Sequence, residues 1–391
     1  MKKRVKIVLS LAIFLVVAAI GCQPVWADFE NDDTVITLDE TTQEMLSNID
    51  FSSLDEIISE LDSPMFKSST FLEKVQSVLD GETGDIGSYL ELIIRVFFSE
   101  FSAIVPLLIS IVIVAVLCGL ILSIRARVGE ESVGKLVGFV CYGMVVVLIG
   151  ASVFSLVKNV TNAVFSIKEQ MDIVFPIMLT LLASVGASSS VSVFQPMFAV
   201  MSNVVMQIFT YFLLPLFSLA FVFCILSHVS DIKLTKFNSL FSSVFKWSAG
   251  TLFSLCLGSA AIGGAMAGSF DSVSIKATRF ALKSYIPVLG GYINDGFSLV
   301  AASGVLVKNA IGVTGIILAV SVVLYPLISV IILSLGLKFV ASIIESIGGG
   351  EIASFLSDVS NVLGMLTAIL AGVSFLYIAN IGILISTANI F

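Results

Sequence analysis

The sequence predicts an all-α, polytopic membrane protein with seven or eight transmembrane helices. Of its 391 residues, 57% are hydrophobic and only 12% are charged, and the mean hydropathy is +1.08. Soluble domains carry about 25% charged residues, so most of this chain must meet lipid or another helix. A basic amino terminus followed by an apolar run indicates, in addition, that the chain is delivered to an export pathway.

The first element is a cleaved signal peptide at residues 1–27. Its opening residues MKKRVK are basic, and an apolar stretch follows them. Val25-Trp26-Ala27 places small residues at the two positions that a signal peptidase reads, so cleavage is expected before Asp28. A lipoprotein signal is the alternative, because a glycine precedes Cys22.

The second element is an acidic extracytoplasmic segment at residues 28–90. Residues 28–85 contain 16 of the 28 acidic residues and two of the 20 basic ones. Apolar residues at helical spacing predict two short helices, at Leu54–Leu61 and at Phe71–Leu79, the first opened by a capping box at Ser53. The segment is either a solvated spacer or a docking surface for an extracytoplasmic partner.

The third element, residues 91–391, is the transmembrane domain. A helix needs about 20 apolar residues to cross the hydrocarbon core. Two weaker stretches leave the count open between seven and eight: 173–195 becomes serine-rich, and 286–307 has polar residues in its middle. The C-terminus is cytoplasmic with seven spans and outside with eight. The strong candidate spans are 101–124, 136–157, 204–227, 247–268, 310–336 and 362–386.

Four prolines in this domain occur at matched spacing. Pro176 and Pro287 are 111 residues apart, and so are Pro215 and Pro326. A proline removes an intrahelical hydrogen bond, and neighbouring helices or a water-lined cavity must satisfy the freed carbonyl. We therefore treat all four prolines as candidate conduit or hinge residues.

The proline spacing also predicts an internal repeat, at about residues 160–268 and 271–386. If each unit contains three full spans, the second unit is inverted, as in many transporters with a site at the membrane midplane. If the first element of each unit is re-entrant, the two units are parallel.

Four polar residues near the second unit complete the candidate conduit residues: Asn294, Asp295, Lys308 and Asn309. A charge at bilayer depth is costly and is a functional candidate by default. If 286–307 is instead a re-entrant hairpin closed by Lys308-Asn309, Asp295 lies in water.

Several kinds of site are excluded by the residue types present. His228 is the only histidine, which excludes a histidine-based metal cluster, and it is expected to act as an interfacial cap beside Asp231. The four cysteines after the signal are widely spaced in apolar runs, a pattern typical of neither disulfides nor metal sites. The sequence has no basic patch of the kind that binds nucleic acid. We therefore predict no enzyme, no cofactor and no metal.

Small residues in one predicted span indicate close helix contact. Ala260, Gly264 and Gly268 recur every four residues and form a small-residue stripe. The stripe packs either within the fold or between subunits.

Four stretches of the transmembrane domain carry a resemblance to a known family. They are Met178-Leu179-Thr180-Leu181-Leu182-Ala183 with Pro196 downstream, Phe270-Asp271-Ser272-Val273-Ser274-Ile275-Lys276, Tyr285-Ile286-Pro287-Val288-Leu289-Gly290 and Leu306-Val307-Lys308-Asn309-Ala310-Ile311-Gly312. These stretches resemble the stage III sporulation protein AE family of endospore-forming bacteria. Their order, the signal peptide, the acidic segment and the length all fit that family.

The resemblance implies a membrane subunit of the channel, often called a feeding tube, that links mother cell and forespore. It implies a location in the mother-cell-derived membrane around the forespore, with the acidic segment facing the intermembrane space. The implied partners are other membrane and ring-forming proteins of the same operon, an ATPase-like subunit and a forespore membrane protein. A stand-alone secondary transporter with an inverted-repeat fold is the alternative.

Overall fold

The computed structural model describes residues 32–61, 66, 69–81, 86–126, 131–229, 235–285, 290–347 and 349–387. Every regular element within these ranges is helical. Two π-helical segments, Met201–Val205 and Phe209–Leu213, interrupt the helical rod at residues 188–229. The α-helices are α1 (Asp32–Ser47), α2 (Ser52–Glu60), α3 (Phe71–Leu79), α4 (Ile86–Ala126), α5 (Glu131–Ser184), α6 (Ser188–Val200), α7 (Met206–Ile208), α8 (Leu214–Val229), α9 (Thr235–Tyr285), α10 (Gly290–Ser346) and α11 (Gly350–Ser386).

Six helical stretches of the described chain are long and apolar enough to cross a membrane. The six strong candidate spans of the sequence fall on them in order, which confirms a polytopic helical fold. The count of seven or eight is not confirmed. The six stretches are Leu90–Cys118, Gly138–Ser184, Ser188–His228, Lys236–Gly264, Gly296–Ser346 and Gly350–Ser386.

The two weaker stretches are not separate spans among the described residues. The chain turns inside 173–195 at Gly186, whose φ of 92° favours glycine, and this turn ends α5 and lets α6 begin. The described part of 286–307 forms the first turns of α10 and continues without a break into the apolar stretch 310–336. The re-entrant hairpin is therefore not present there.

The six long segments alternate in direction, as contacts along α10 show. Gly304 faces Val185 and Gly315 faces Val174, so α5 runs antiparallel to α10. Gly312 faces Ile385, while Ser334 and Ser360 exchange hydrogen bonds, so α11 is antiparallel to α10 as well.

The helices that carry two of the matched prolines run in the same direction. Phe194 lies near Ile383, since both border Gly264, whereas His228 contacts Ser354. The rod α6–α8 is therefore antiparallel to α11 and parallel to α10. The two proline-bearing helices are therefore parallel, while the re-entrant element that a parallel repeat required is absent from the described part of 286–307.

Helix α5 changes its exposed face along its length. Between Gly138 and Val157 its exposed side chains are mostly apolar, including Phe139, Val147 and Phe154. From Lys158 to Ser184 most exposed side chains are polar. The second part spans roughly 40 Å at 1.5 Å per residue. A bilayer suits the first part, and the second part is suited to water.

The N-terminal helices pack on this bundle. Helices α1 and α3 contact α10, and α2 contacts α5. The buried side chains of α2 and α3, such as Leu54 and Phe71, belong to the same hydrophobic core as the long helices. The amide of Phe71 also donates to Asp55 Oδ1 at 2.7 Å, which links α3 to α2.

The capping box was predicted at the wrong helix. Helix α2 begins at Ser52, and Asp50 Oδ1 accepts the Ser52 amide at 2.9 Å, a bond that lowers the pKa of Asp50. The capping box is at the start of α3, where Thr70 and Glu73 each accept the other's backbone amide.

A disulfide joins Cys118 of α4 to Cys141 of α5, contrary to the expectation from cysteine spacing. Spacing in sequence gave no sign of it, because the bond depends on the packing of the two helices side by side. Cys224 and Cys256 are free and buried, as small apolar residues in helices.

Candidate functional site

Lys308 lies on α10, where its side chain is completely buried. Its Nζ donates to the backbone carbonyl oxygens of Leu384 at 3.0 Å, Ile385 at 3.2 Å and Thr387 at 2.5 Å. These carbonyls lie at the end of α11, where that of Leu384 also accepts the Thr387 amide at 3.2 Å, and a cation is favourable at that end of a helix. Lys308 therefore caps α11 and does not close a hairpin, as the sequence had suggested.

Asn309, the next residue, contributes to a buried polar core between α5, α10 and α11. Its Oδ1 accepts no hydrogen bond from the described residues. Native proteins rarely bury such atoms, so each one suggests ordered water or a role in function. Other atoms of this kind on the three helices belong to Gln170, Thr314, Tyr377 and Asn380.

Asn294 and Asp295 lie in the first turns of α10. The structure describes their helical backbone, and their side chains are outside the described part.

The candidate prolines differ in their surroundings. Pro176 lies within α5 and is exposed, and Pro326 lies within α10 and is buried. Pro215 is the second residue of α8, two positions after the end of the π-helical segment Phe209–Leu213. A proline has no backbone N–H to donate to the carbonyl of the preceding turn, and the π-helical segment accommodates the missing hydrogen bond. Pro287 lies outside the described residues.

Glu100 and Ser329 form a buried polar pair that the sequence analysis missed. Ser329 Oγ donates to Glu100 Oε2, and both side chains are at most 5% exposed. The pair joins α4 to α10 at 229 residues of separation. A glutamate in the apolar run that follows Arg95 was the available signal, since a carboxylate in a span needs a partner.

Asp271 joins α9 to the start of α6. Its two carboxylate oxygens each accept a backbone amide at 2.9 Å, from Ser189 and from Ser190, and the side chain is 1% exposed. An acidic group is favourable at a helix N-terminus. This contact fixes the turn at Gly186 against α9.

His228 contacts two polar residues of α11. Its Nε2 is 3.4 Å from Ser354 Oγ and 3.7 Å from Asp358 Oδ2, and its Nδ1 faces the carbonyl of Cys224 at 3.1 Å. A serine–histidine–aspartate relay needs the acid and the serine on different ring nitrogens. Here Ser354 and Asp358 both approach Nε2, so these two side chains do not form a relay with His228. The hydroxyl near Nδ1 is that of the adjacent Ser227, at 3.1 Å. Asp231, the expected neighbour, lies outside the described residues.

Among the described residues, no group of three or more histidine, cysteine, aspartate or glutamate side chains could hold a metal ion.

The small-residue stripe packs within the fold at Ala260 and Gly264. A Cβ at Gly264 would lie 3.0 Å from Ile383 Cγ2 and 3.6 Å from Phe194 Cζ, and Ala260 is buried. The stripe therefore lets α9 approach α6 and α11. The side chain position at residue 268 is outside the described part.

Comparison with known proteins decides the family. The sequence model described as stage III sporulation protein AE matches residues 69–388. The chain belongs to the stage III sporulation protein AE family. It is similar to the stage III sporulation protein AE of Bacillus subtilis (strain 168), with 23% identity over 303 residues, which cover 77% of this chain and 76% of that protein. No solved structure matches. Family membership confirms the resemblance and places the protein in sporulation.

Proposed function

We propose that this protein is a membrane subunit of the feeding-tube channel that connects mother cell and forespore. It acts by assembly with other subunits and contributes part of the conduit, and late forespore development depends on it. The observation that carries the proposal is family membership over residues 69–388 in a chain with six candidate spans.

The proposed location follows from the signal peptide. Export of residues 28–90 puts them in the intermembrane space, and the protein lies in the mother-cell-derived membrane around the forespore. With six alternating spans after an exported segment, α4 ends on the cytoplasmic side. Arg125, Arg127 and Lys135 then lie at that side, in agreement with the positive-inside tendency.

The proposed partners are other membrane and ring-forming proteins of the same operon, an ATPase-like subunit and a forespore membrane protein. No catalytic step or cofactor is part of the proposal. Lys308 and Asp271 support an assembly role, because helix ends occupy both side chains and leave neither to a passing solute.

The test is purification of the tagged full-length protein from sporulating cells of its host. The channel proposal expects other products of the operon to co-purify in stable ratio, and expects spore formation to fail when the protein is depleted. A membrane protein of equal abundance with the same tag is the control. Purification of this protein without the operon products, after mild cross-linking, would contradict the proposal.

A stand-alone secondary transporter is the second candidate. The π-helical segment before Pro215 favours it, since broken helices build many transporter sites. The parallel direction of the two proline-bearing helices gives it no support from an inverted repeat. Solute uptake by proteoliposomes containing this protein alone would favour the transporter, and the channel proposal expects none.

A further inference from the structure

One side of α11 is polar over its first three turns. Glu351, Ser354, Asp358 and Asn361 are spaced three, four and three residues apart, which puts them on one side of a helix. We call these four residues the polar face of α11. Glu351, Ser354 and Asn361 are exposed, and the Asp358 side chain is 38% exposed. The opposite side of α11 is buried in the core of the bundle, with Phe355 as an example.

Contacts with neighbouring helices give the depth of the polar face. Ser360, beside Asn361, exchanges hydrogen bonds with Ser334 of α10. Phe355 packs edge-on against Tyr142 of α5, with 4.9 Å between ring centroids. The polar face therefore extends from about the level of residue 142 on α5 to about the level of residue 334 on α10.

At this level the neighbouring helices expose large apolar side chains. On α10 these are Leu335 and Phe339, which are 54% and 69% exposed. On α5 they include Val140 and Met144. Such side chains suit lipid. Lys338, between Leu335 and Phe339 on α10, is partly exposed, so the polar face lies at a depth where the exposed surfaces of α5 and α10 are mostly apolar.

A carboxylate and an amide facing lipid at this depth would be costly, and polar groups in spans face protein or water instead. Asn361 is about 17 Å from the start of α11 at 1.5 Å per residue, which is about half the hydrocarbon thickness. The face continues beyond Asn361 with exposed small residues, Gly364 and Ala368. Water can reach such a surface where bulky side chains would block it.

The charge on this face is acidic. Glu351 and Asp358 are carboxylates, and the basic side chain in contact with the face is His228, 3.7 Å from Asp358. Pairing this face with the same face of a second copy at a two-fold axis would oppose carboxylates to carboxylates. Separation across water avoids that repulsion, as in the carboxylate-lined pores of cation channels.

We propose that the polar face of α11 is one wall of a water-filled path that favours cations and enters the membrane where α11 begins. The inference deepens the proposed function and rests on it, because the assembled channel supplies the opposite wall. Asp358 and Asn361 carry the path to the middle of the bilayer, and Gly364 and Ala368 continue it.

The test uses single cysteines in the full-length chain, in membranes of sporulating cells opened so that reagents reach both sides. The background replaces Cys118, Cys141, Cys224 and Cys256. Asn361→Cys and Ala368→Cys probe the wall, and Leu335→Cys and Met144→Cys are matched lipid-facing controls at the same level. Each is treated with a positively charged and a negatively charged methanethiosulfonate, neither of which dissolves in lipid.

We expect both wall cysteines to react and both control cysteines not to react. We expect the cationic reagent to react about tenfold faster than the anionic one at Asn361→Cys, after correction for the rates with a free small thiol. Adding Asp358→Asn should bring that ratio towards one. If the cationic and the anionic reagent react at equal rates, both with and without Asp358→Asn, the cation preference is overturned.

Absence of labelling at both wall cysteines, in protein that still co-purifies with its operon partners, would overturn the water-filled path and leave the proposed function standing. Labelling that occurs only when the partner proteins are deleted would also overturn it, because the face would then be covered by a partner. Loss of co-purification with labelling intact would instead contradict the proposed function alone.

Discussion

The ammonium group of Lys308 is 3.0 Å from the carbonyl oxygen of Leu384, 76 residues further along the chain. It binds two more carbonyls at the end of α11, so one buried side chain holds the C-terminal end of that helix against α10. The cation is favourable there because the carbonyls carry the negative end of the helix dipole.

Replacing Lys308 by Met should therefore destabilise the protein. Methionine keeps the apolar stem but removes the ammonium donor from three carbonyls, while that of Leu384 keeps the Thr387 amide, at a cost of about 2–4 kcal/mol. The measurement is the midpoint of thermal unfolding in detergent. Lys338→Met on the same helix, at a partly exposed position, is the matched control and should change stability by less than about 1 kcal/mol. Equal midpoints for the two variants would show that the cap carries no stability.

Gly372 should tolerate no side chain. A Cβ at this position of α11 would overlap the ring of Phe253 on α9, whereas a Cβ at Gly364 meets nothing within 4 Å. Gly372→Ala should cost about 1–3 kcal/mol through overpacking. Gly364→Ala should be neutral or slightly stabilising, because alanine has the higher helix propensity. Unfolding midpoints of the two variants test this, and a stable Gly372→Ala would mean that α9 and α11 are further apart.

Glu100 and Ser329 should be energetically coupled. A double-mutant cycle with Glu100→Gln and Ser329→Ala should give an interaction of about 1–2 kcal/mol, since the buried hydrogen bond joins an ionisable group to a hydroxyl. Replacing Ser329 by Ser342 in the cycle gives the control, because Ser342 is exposed on the same helix. The result expected for that control pair is additivity, and additivity in the first cycle would refute the contact.

Asp271 should protect the start of α6. Asp271→Asn retains one acceptor oxygen and loses the charge, whereas Asp271→Ala loses both. Asp271→Ala should therefore lower the free energy of unfolding more than Asp271→Asn does, by about 1–2 kcal/mol relative to the parent protein. Hydrogen exchange at the amides of Ser189 and Ser190 should speed up in the same order. Glu169→Gln, at an exposed position of α5, should change neither amide.

Hydropathy was sufficient to predict the helical membrane fold, because six apolar stretches each needed a helix to satisfy their backbone. It failed at 173–195, where one glycine turn separates two apolar segments that a window reads as one. It also failed at 286–307, where polar residues suggested a break. Lys308 is tolerated inside a continuous helix there because its partners come from α11.

Residue pairing was beyond the reach of the sequence for a related reason. Glu100–Ser329 and Asp271–Ser190 join segments far apart in the chain, so each depends on packing that no local pattern records. The local signals were more useful. Thr70 and Glu73 stand at capping-box spacing in the sequence, and Pro215 marked a place where the helix does depart from regular α geometry.

The unbroken length of α10 has a mechanical consequence. Its 57 residues extend roughly 85 Å, close to three times the thickness of the hydrocarbon core. A rod of that length, held along its side by α5 and α11, works as a lever: a sideways force at one tip becomes a tilt at the other. A partner that binds the N-terminal part of α10, near Gly304, would in this way move Ser334. It would thereby also move Ser360 and the polar face of α11, without touching the membrane.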